Sequence, residues 1–302
     1  MTELRVRRPL AGRALELDVA ELARRHPWMQ TVRRFLRNVT GMVGLLLVLV
    51  VAVASLGAPL FTSTDPASMD TSIILQAPSS AHPFGADDLG RDVFSRVLYG
   101  GRISILVGVS VALATTVGGV LFGVLSGFYP RLDNPIMRVM DIVMAFPAIL
   151  LALGIVAILG PQLTNIIIAL SIPYTPRSAR VVRSMILQLK HKEFVEAARS
   201  IGVHNWRIIL RHLLPNFLAP LMVQQTYVLA IAILEEAELT FLGVGVPPSV
   251  PTLGGIISDA RTQLRVAPWL PLYPGLTISA LVLGFNLLGD GLRDVLDPRM
   301  KL

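Results

Sequence analysis

Three stretches of this chain, residues 38–64, 103–130 and 142–176, contain no Asp, Glu, Lys or Arg. Runs of that length restrict the fold severely. In hydrocarbon every backbone N–H and C=O must be satisfied within the protein, and a helix of ~20 apolar residues does this across the ~30 Å of a bilayer core. The first run holds GMVGLLLVLVVAVASLGAPLF, which sets a first span at 41–61 that ends near Pro59. The second closes at Tyr129-Pro130. The third is too long for one crossing and is broken by Gly160-Pro161, a turn signal, which makes spans three and four. Span four carries Pro173 and Pro176 and is expected to kink before running into the basic segment Arg177 to Lys192. A fifth span is expected from about Asn216 to Leu234, and a sixth from about Pro274 to Leu288. The expectation is an all-α, polytopic membrane protein with six transmembrane helices.

Composition agrees: 53% of residues are hydrophobic and 16% charged, against about a quarter charged in soluble domains. The net charge of +7 raises nucleic acid as a partner, but the basic residues lie between the apolar runs. Residues 1–40 hold Arg5, Arg7, Arg8, Arg13, Arg24, Arg25, Arg33, Arg34 and Arg37. Residues 62–101 hold Asp65, Asp70, Asp87, Asp88 and Asp92 against Arg91, Arg96 and nothing else basic before residue 102 but His82. Because basic loops stay in the cytoplasm, both termini are expected inside, 62–101 outside, and the segment with Arg177, Arg180, Arg183, Lys190, Lys192, Arg199, Arg207 and Arg211 inside. The first apolar run begins only at residue 38 and has no small-residue cleavage site close behind it, so it is expected to stay as an anchor. Cysteine is absent, which excludes disulfides, thiolate metal sites and cysteine nucleophiles.

Residues 192–215, with EFVEAARSIGVHNWRIILRHLLPN starting at Glu193, read as two short helices joined at Gly202. Phe194, Val195, Ala198 and Ile201 fall at helical spacing, Gly202 suits a C-terminal cap, Asn205 suits an N-cap, and Pro215 restarts the chain at the membrane. Ala197 and Ala198 beside Gly202 leave little bulk, so another protein's surface could approach closely. The two competing readings are amphipathic helices that merely pack on the span ends, and a DNA-binding helix-turn-helix, which tethering to spans on both sides disfavours.

The pattern Glu196-Ala197-Ala198, then Gly202, then Leu214-Pro215 resembles the cytoplasmic loop motif of ABC importer permeases, although His212 stands where that pattern prefers Ile. The stretch His82 to Ser104 is similar to the one preceding the second span in dipeptide and oligopeptide permeases. The run Leu239-Thr240-Phe241-Leu242-Gly243 and the C-terminal Gly289-Asp290-Gly291 and Asp297-Pro298-Arg299 resemble the same branch, specifically its second, C-type permease. Thr240, the extra Glu238, and Leu253 where relatives often have Trp depart from it. The resemblance covers about residues 40–302 and implies a type I ABC importer permease in a prokaryotic cell membrane, with 102–302 as the core permease domain. It also implies that the elbow, through Glu196, Ala197, Ala198, Gly202, Leu214 and Pro215, couples to an ATPase. The implied partners are a homologous second permease, two ATP-binding subunits that hold ATP and Mg, an extracytoplasmic solute-binding protein and membrane lipid. The implied cargo is di- or oligopeptides, with nickel complexes, glutathione or another small solute as alternatives.

Three further sets of residues stand out. Leu89, Val93, Phe94, Val97 and Leu98 form an apolar face expected for an interfacial helix, with Asp92 and Arg96 paired at i, i+4 and Asp87, Asp88, Arg91, Asp92 and Arg96 in solvent. Glu235, Glu236 and Glu238 are costly toward lipid, so they are expected at the interface or, functionally, at a gate or cavity. Gly119, Gly123 and Gly127 make a smooth helix stripe that packs either on a second subunit or within this chain. No Gly-Lys pair exists for a phosphate loop, His26, His82, His191, His204 and His212 lack metal-ligand spacing, and no G-x-S-x-G motif occurs. The chain is therefore expected to be non-catalytic, with no cofactor of its own. An ion-gradient-driven secondary transporter is the alternative from another class, and a membrane-embedded enzyme a further one.

Overall fold

The computed structural model describes residues 27–296, and all its regular elements are helices. The expectations for residues 1–26 and for Asp297-Pro298-Arg299 lie outside the described residues. Helix α1, Pro27–Arg37, is separated by Asn38 from α2, Val39–Leu56, whose first turn Asn38 caps by accepting from the Gly41 N–H at 2.8 Å. A single turn, α3 at Ala58–Phe61, ends this segment with Pro59 in its first turn. Residues 62–92 then double back on themselves, with Leu75 donating to the Asp87 carbonyl and Ala86 to that of Gln76.

Helix α4, Val93–Phe128, is 36 residues long. At 1.5 Å per residue it extends about 54 Å, far beyond a ~30 Å hydrocarbon core. The predicted interfacial helix is therefore absent as a separate element: its residues are the overhanging start of α4. Asp92 does not pair with Arg96 but caps the helix, accepting from the Ser95 N–H at 2.7 Å. Leu89 lies before the helix and is exposed, whereas Val93, Val97 and Leu98 are buried. Pro130 opens α5, Pro130–Met144, which turns through 89° into α6, Ala148–Leu159. Gly160-Pro161 breaks the chain as expected before α7, Leu163–Leu189, which continues through Pro173 and Pro176. Two short helices, α8 at Glu193–Ser200 and α9 at Asn205–Ile208, and a π turn at Ile209–Leu213 lead into α10, Leu214–Phe241. Pro215 has no N–H to close an ordinary turn, which accounts for the widened π turn beside it. Helix α11, Leu253–Asp259, and α12, Trp269–Leu296, complete the described chain.

Helices α2, α4, the continuous α9–α10 and α12 are long and apolar enough to cross a membrane, and the bent α5–α6 pair makes a fifth candidate. Two of the six expected spans depart from straight apolar rods. Helix α6 has 12 residues, about 18 Å. Helix α7 has the length, but Arg177, Arg180 and Arg183 interrupt its second half. Two of these arginines are neutralised by α5: Arg183 grips Asp133 with both Nε and Nη2 at 2.6 and 2.7 Å, and Arg180 meets Asp141 at 2.6 Å.

Small residues set how closely the helices approach. A Cβ added at Gly119 or Gly123 would lie 2.5 Å from Ser178 Cβ or 2.6 Å from Val182 Cβ, and one at Gly127 2.9 Å from Ile186 Cβ. The glycine stripe thus packs on α7 within this chain, which settles the question left open by sequence. Gly44 does the same between α2 and α12, where an added Cβ would be 2.5 Å from the Leu288 nitrogen. Three apolar clusters stack along the bundle, and the outward side of α2, α4 and α6 stays hydrophobic, with Val50, Val117 and Ile158 at 60, 69 and 86% exposure. A contiguous apolar exterior of this extent requires lipid as solvent.

Candidate functional site

Two polar assemblies occupy opposite ends of the bundle. At one end α4 and α7 finish, α10 begins, and the elbow α8–α9 projects. Its turn is built by backbone hydrogen bonds: Val203 N–H donates to the Ala198 carbonyl and Gly202 N–H to that of Arg199, the Schellman pattern. Gly202 has φ +76°, a conformation that penalises any side chain, and among the described residues nothing beyond its own chain neighbours lies within 4 Å of where its Cβ would be. The N-cap of α9 is His204 rather than the expected Asn205, which is the first helical residue, and no side chain caps that end.

The six coupling candidates divide by burial. Glu196, Ala197, Gly202 and Pro215 are exposed, Leu214 is half-buried, and Ala198 is buried beside Val195 and Ile208 in the cluster that roots the elbow on Phe128, Ile186 and Phe217. Phe194 and Ile201, read at helical spacing with Val195 and Ala198, are 43 and 80% exposed. With Trp206 at 57% and Leu210 at 54% they give the elbow an apolar outer surface. Basic side chains rim it: Arg199 lies over the Phe128 ring at 5.3 Å and Arg207 over the Trp206 ring at 5.5 Å.

At the far end the charges expected in solvent are mostly buried. Asp87, Arg91, Asp92 and Arg96 are 3, 7, 4 and 3% exposed, while Asp88 is half-buried. Asp87 receives Arg91 Nε at 2.6 Å and Arg96 Nη1 at 2.8 Å. Both guanidinium groups also reach Asp259 Oδ2, at 3.0 and 3.3 Å, so two arginines hold two carboxylates in one alternating cluster. Sequence reasoning misses Asp259 altogether, since it stands alone at the end of α11. His82 Nδ1 meets Asp92 at 2.9 Å, Phe84 stacks on Tyr273 with ring centroids 3.9 Å apart, and Ser95 Oγ donates to the Thr64 carbonyl at 2.7 Å. The segment 62–92 is thereby clamped to α4, α11 and α12 as a rigid cap. Outside the helices, hydrogen bonds from Ser72 hold the Asp70 carboxyl below the usual carboxylate range.

The three glutamates of α10 separate in the same way. Glu236 is fully buried, accepting from Ser104 Oγ at 2.9 Å and Thr240 Oγ1 at 3.1 Å. Glu235 is buried and receives the Tyr174 hydroxyl. Glu238 is exposed. The interfacial position expected for all three thus fits only Glu238; the other two join α10 to α4 and α7. A second polar link joins the same helices, with Thr115 Oγ1 donating to Gln225 Oε1 and Gln225 Nε2 to Ser178 Oγ, both at 2.9 Å. Leu253 and Gly254 are buried against the end of α10, where Gly254 faces Ala237. Among the described residues no group of three or more His, Asp or Glu side chains is arranged to hold a metal.

Long apolar helices with a hydrophobic exterior, tied by buried polar links and capped at one end, define a polytopic helical membrane protein. The fold matches that of a chain in the inward-facing methionine ABC transporter MetNI, with a TM-score of 0.55 at 21% identity over 67% of this chain and 96% of that one. The chain belongs to the binding-protein-dependent transport system inner membrane components, whose family model matches residues 119–302. Residues 26–78 match the N-terminal transmembrane domain of oligopeptide transport permease C. Relatives include a putative peptide transport system permease of Brucella abortus, 47% identical over 91% of this chain and 93% of that one. The dipeptide transport system permease DppC of Alkalihalophilus pseudofirmus is 45% identical over 91% of each chain. The glutathione transport system permease GsiD of Pectobacterium atrosepticum is 41% identical over 92% of this chain and 93% of that one.

Proposed function

We propose that this chain forms half of the translocation pore of an ATP-driven importer for di- or oligopeptides or similar small solutes. A homologous second permease supplies the other half. Two ATP-binding subunits, carrying ATP and Mg, seat against the elbow, and a solute-binding protein delivers cargo to the capped end. The observation that carries this reading is the elbow itself, which presents Glu196, Ala197 and Gly202 together with exposed Phe194, Ile201, Trp206 and Leu210 on a base rooted in the core. An apolar, small-residue surface of this kind on a membrane protein suits a macromolecular partner. Because Leu213 and Phe217 share a cluster with Val195 and Ile208, a push on the elbow reaches α10 directly. Helix α10 carries Glu235 and Glu236, whose links to α7 and α4 we assign to gating.

The peptide class rests on the relatives' names, and glutathione is itself a peptide. The orientation, with both termini and the elbow in the cytoplasm, rests on the basic segments. The test uses the absence of native cysteine. A single cysteine at Ala197 is expected to crosslink to an ATPase subunit in membranes, and loaded binding protein is expected to raise ATP hydrolysis by the reconstituted complex. Uptake that proceeds without any ATPase subunit and collapses with the proton or sodium gradient would overturn the proposal in favour of a secondary transporter.

A further inference from the structure

Helix α1 plays no part in pore or elbow, yet it is built as an interaction surface. Its 11 residues end at Arg37, one residue before α2 starts. Helix α2 has 18 residues, about 27 Å, so its first turn must lie near the boundary of a ~30 Å hydrocarbon core. Helix α1 is therefore held within reach of the headgroups. It is fixed there by Phe35, whose ring lies 2.8 Å from where a Cβ on Gly41 would stand, and by Asn38, whose side chain donates to Asp294 of α12 at 3.2 Å.

Five of its described side chains face away from the bundle. Val32 and Leu36, one turn apart, are 48 and 56% exposed. Arg33, Arg34 and Arg37 are exposed, and none of them meets a carboxylate among the described residues. An exposed apolar ridge flanked by unpaired guanidinium groups is poorly suited to water and well suited to a bilayer surface. There the ridge sinks below the headgroups while the arginines remain among the phosphates. We propose that α1 is an interfacial anchor that binds anionic lipid headgroups of the membrane through Arg33, Arg34 and Arg37. Bidentate pairing makes a phosphodiester the fitting ligand for each guanidinium. This role is independent of the cargo and of the ATPase partners.

The test uses the full-length chain, purified with its bound subunits, in nanodiscs of phosphatidylcholine with increasing phosphatidylglycerol. A nitroxide on Leu36→Cys, the sole cysteine, reports depth through its accessibility to oxygen against a water-soluble nickel complex. The label is expected at the headgroup–acyl boundary, and deeper as phosphatidylglycerol rises. The phosphatidylglycerol fraction giving half of that change should rise about fivefold for each arginine replaced by Gln, if each charge acts independently at the surface, and R33Q/R34Q/R37Q should not respond even in pure phosphatidylglycerol. The corresponding Lys variants should keep most of the response, and R131Q/R138Q, on α5, should leave it unchanged. A label in water at every lipid composition would overturn the anchor. So would a triple Gln variant with an unshifted midpoint, a response that R131Q/R138Q weakens as much, or competition by inorganic phosphate as effective as by lipid.

Discussion

Asp87 shows how much can depend on one carboxylate. It accepts both Arg91 and Arg96, and its Oδ1 also caps the backbone N–H groups of Leu89 and Arg91 at 3.0 and 2.8 Å. Asp87→Asn would leave two buried guanidinium groups sharing Asp259 alone, and breaking a buried pair costs about 3 kcal/mol or more. Asp259 is 41% exposed, so water can replace it, and Asp259→Asn should cost nearer 1 kcal/mol. The check is the thermal unfolding midpoint of the purified protein: it should fall further in the first variant than in the second, and adding Arg96→Met to Asp87→Asn should restore part of the loss. Equal midpoints for the two single variants would refute the cluster's role. Local spacing reveals only the Asp87–Arg91 pair of this arrangement. Asp92 and Arg96 satisfy the i, i+4 rule, but capping the start of α4 claims Asp92. Arg96 then turns to Asp87 and to Asp259, the latter 163 positions away in sequence. Glycines are decided by what they face. Gly123→Leu should separate α4 from α7 and abolish folding into the membrane, whereas Gly154→Ala, where a Cβ meets nothing within 4 Å, should be neutral in yield and in unfolding midpoint.

Among the elements, the elbow separates the cost of a chain's own geometry from the cost of blocking a partner. At φ +76° any side chain on Gly202 is strained, by about 1 kcal/mol, but its Cβ meets nothing among the described residues beyond its chain neighbours. Gly202→Ala and Gly202→Arg should therefore reach the membrane at similar levels. Alanine should retain at least half of the uptake and arginine essentially none, because the cation obstructs a docked surface. Normal uptake by Gly202→Arg at normal subunit levels would argue that nothing docks there. Element ends were legible wherever backbone chemistry marks them: Pro130 after α4, Gly160-Pro161 before α7, and Gly202 in the elbow. They were illegible where tertiary contacts supply what local pattern lacks. Helix α5 looks like a polar loop, since Arg131, Asp133, Arg138 and Asp141 interrupt its apolar residues. It is a helix because Asp133 and Asp141 meet the arginines of α7. Helix α11, seven residues long, is held by the burial of Leu253 and Ile256 rather than by any periodic signal.

Across the whole molecule, the helices form two units that share α10. Helices α4 and α7 close along the glycine stripe, α2 and α12 close at Gly44 and Gly284, and α10 meets α12 at Thr226 and Gly289. The elbow and α1 lie at one end of this assembly and the cap of 62–92 at the other, because α2 and α4 run in opposite directions and Gly101 of α4 abuts Ser55 of α2. Sidedness therefore reduces to one binary question, and the proposed orientation rests on the basic residues: the elbow end carries Arg199, Arg207 and Arg211, all exposed, along with Lys190 and Lys192, while at the capped end Arg91 and Arg96 are consumed in ion pairs and Arg102, Arg261 and Arg265 stay exposed. Ser80 in the cap and Ser200 in the elbow are both exposed, and the chain has no cysteine to interfere. In intact cells a membrane-impermeant maleimide should label Ser80→Cys, and should label Ser200→Cys only after the membrane is opened. The reverse pattern would invert the molecule and put the proposed docking surface out of reach of any cytoplasmic ATPase. Labelling of both in intact cells would break the link between the two ends that the packing of α2 against α4 requires.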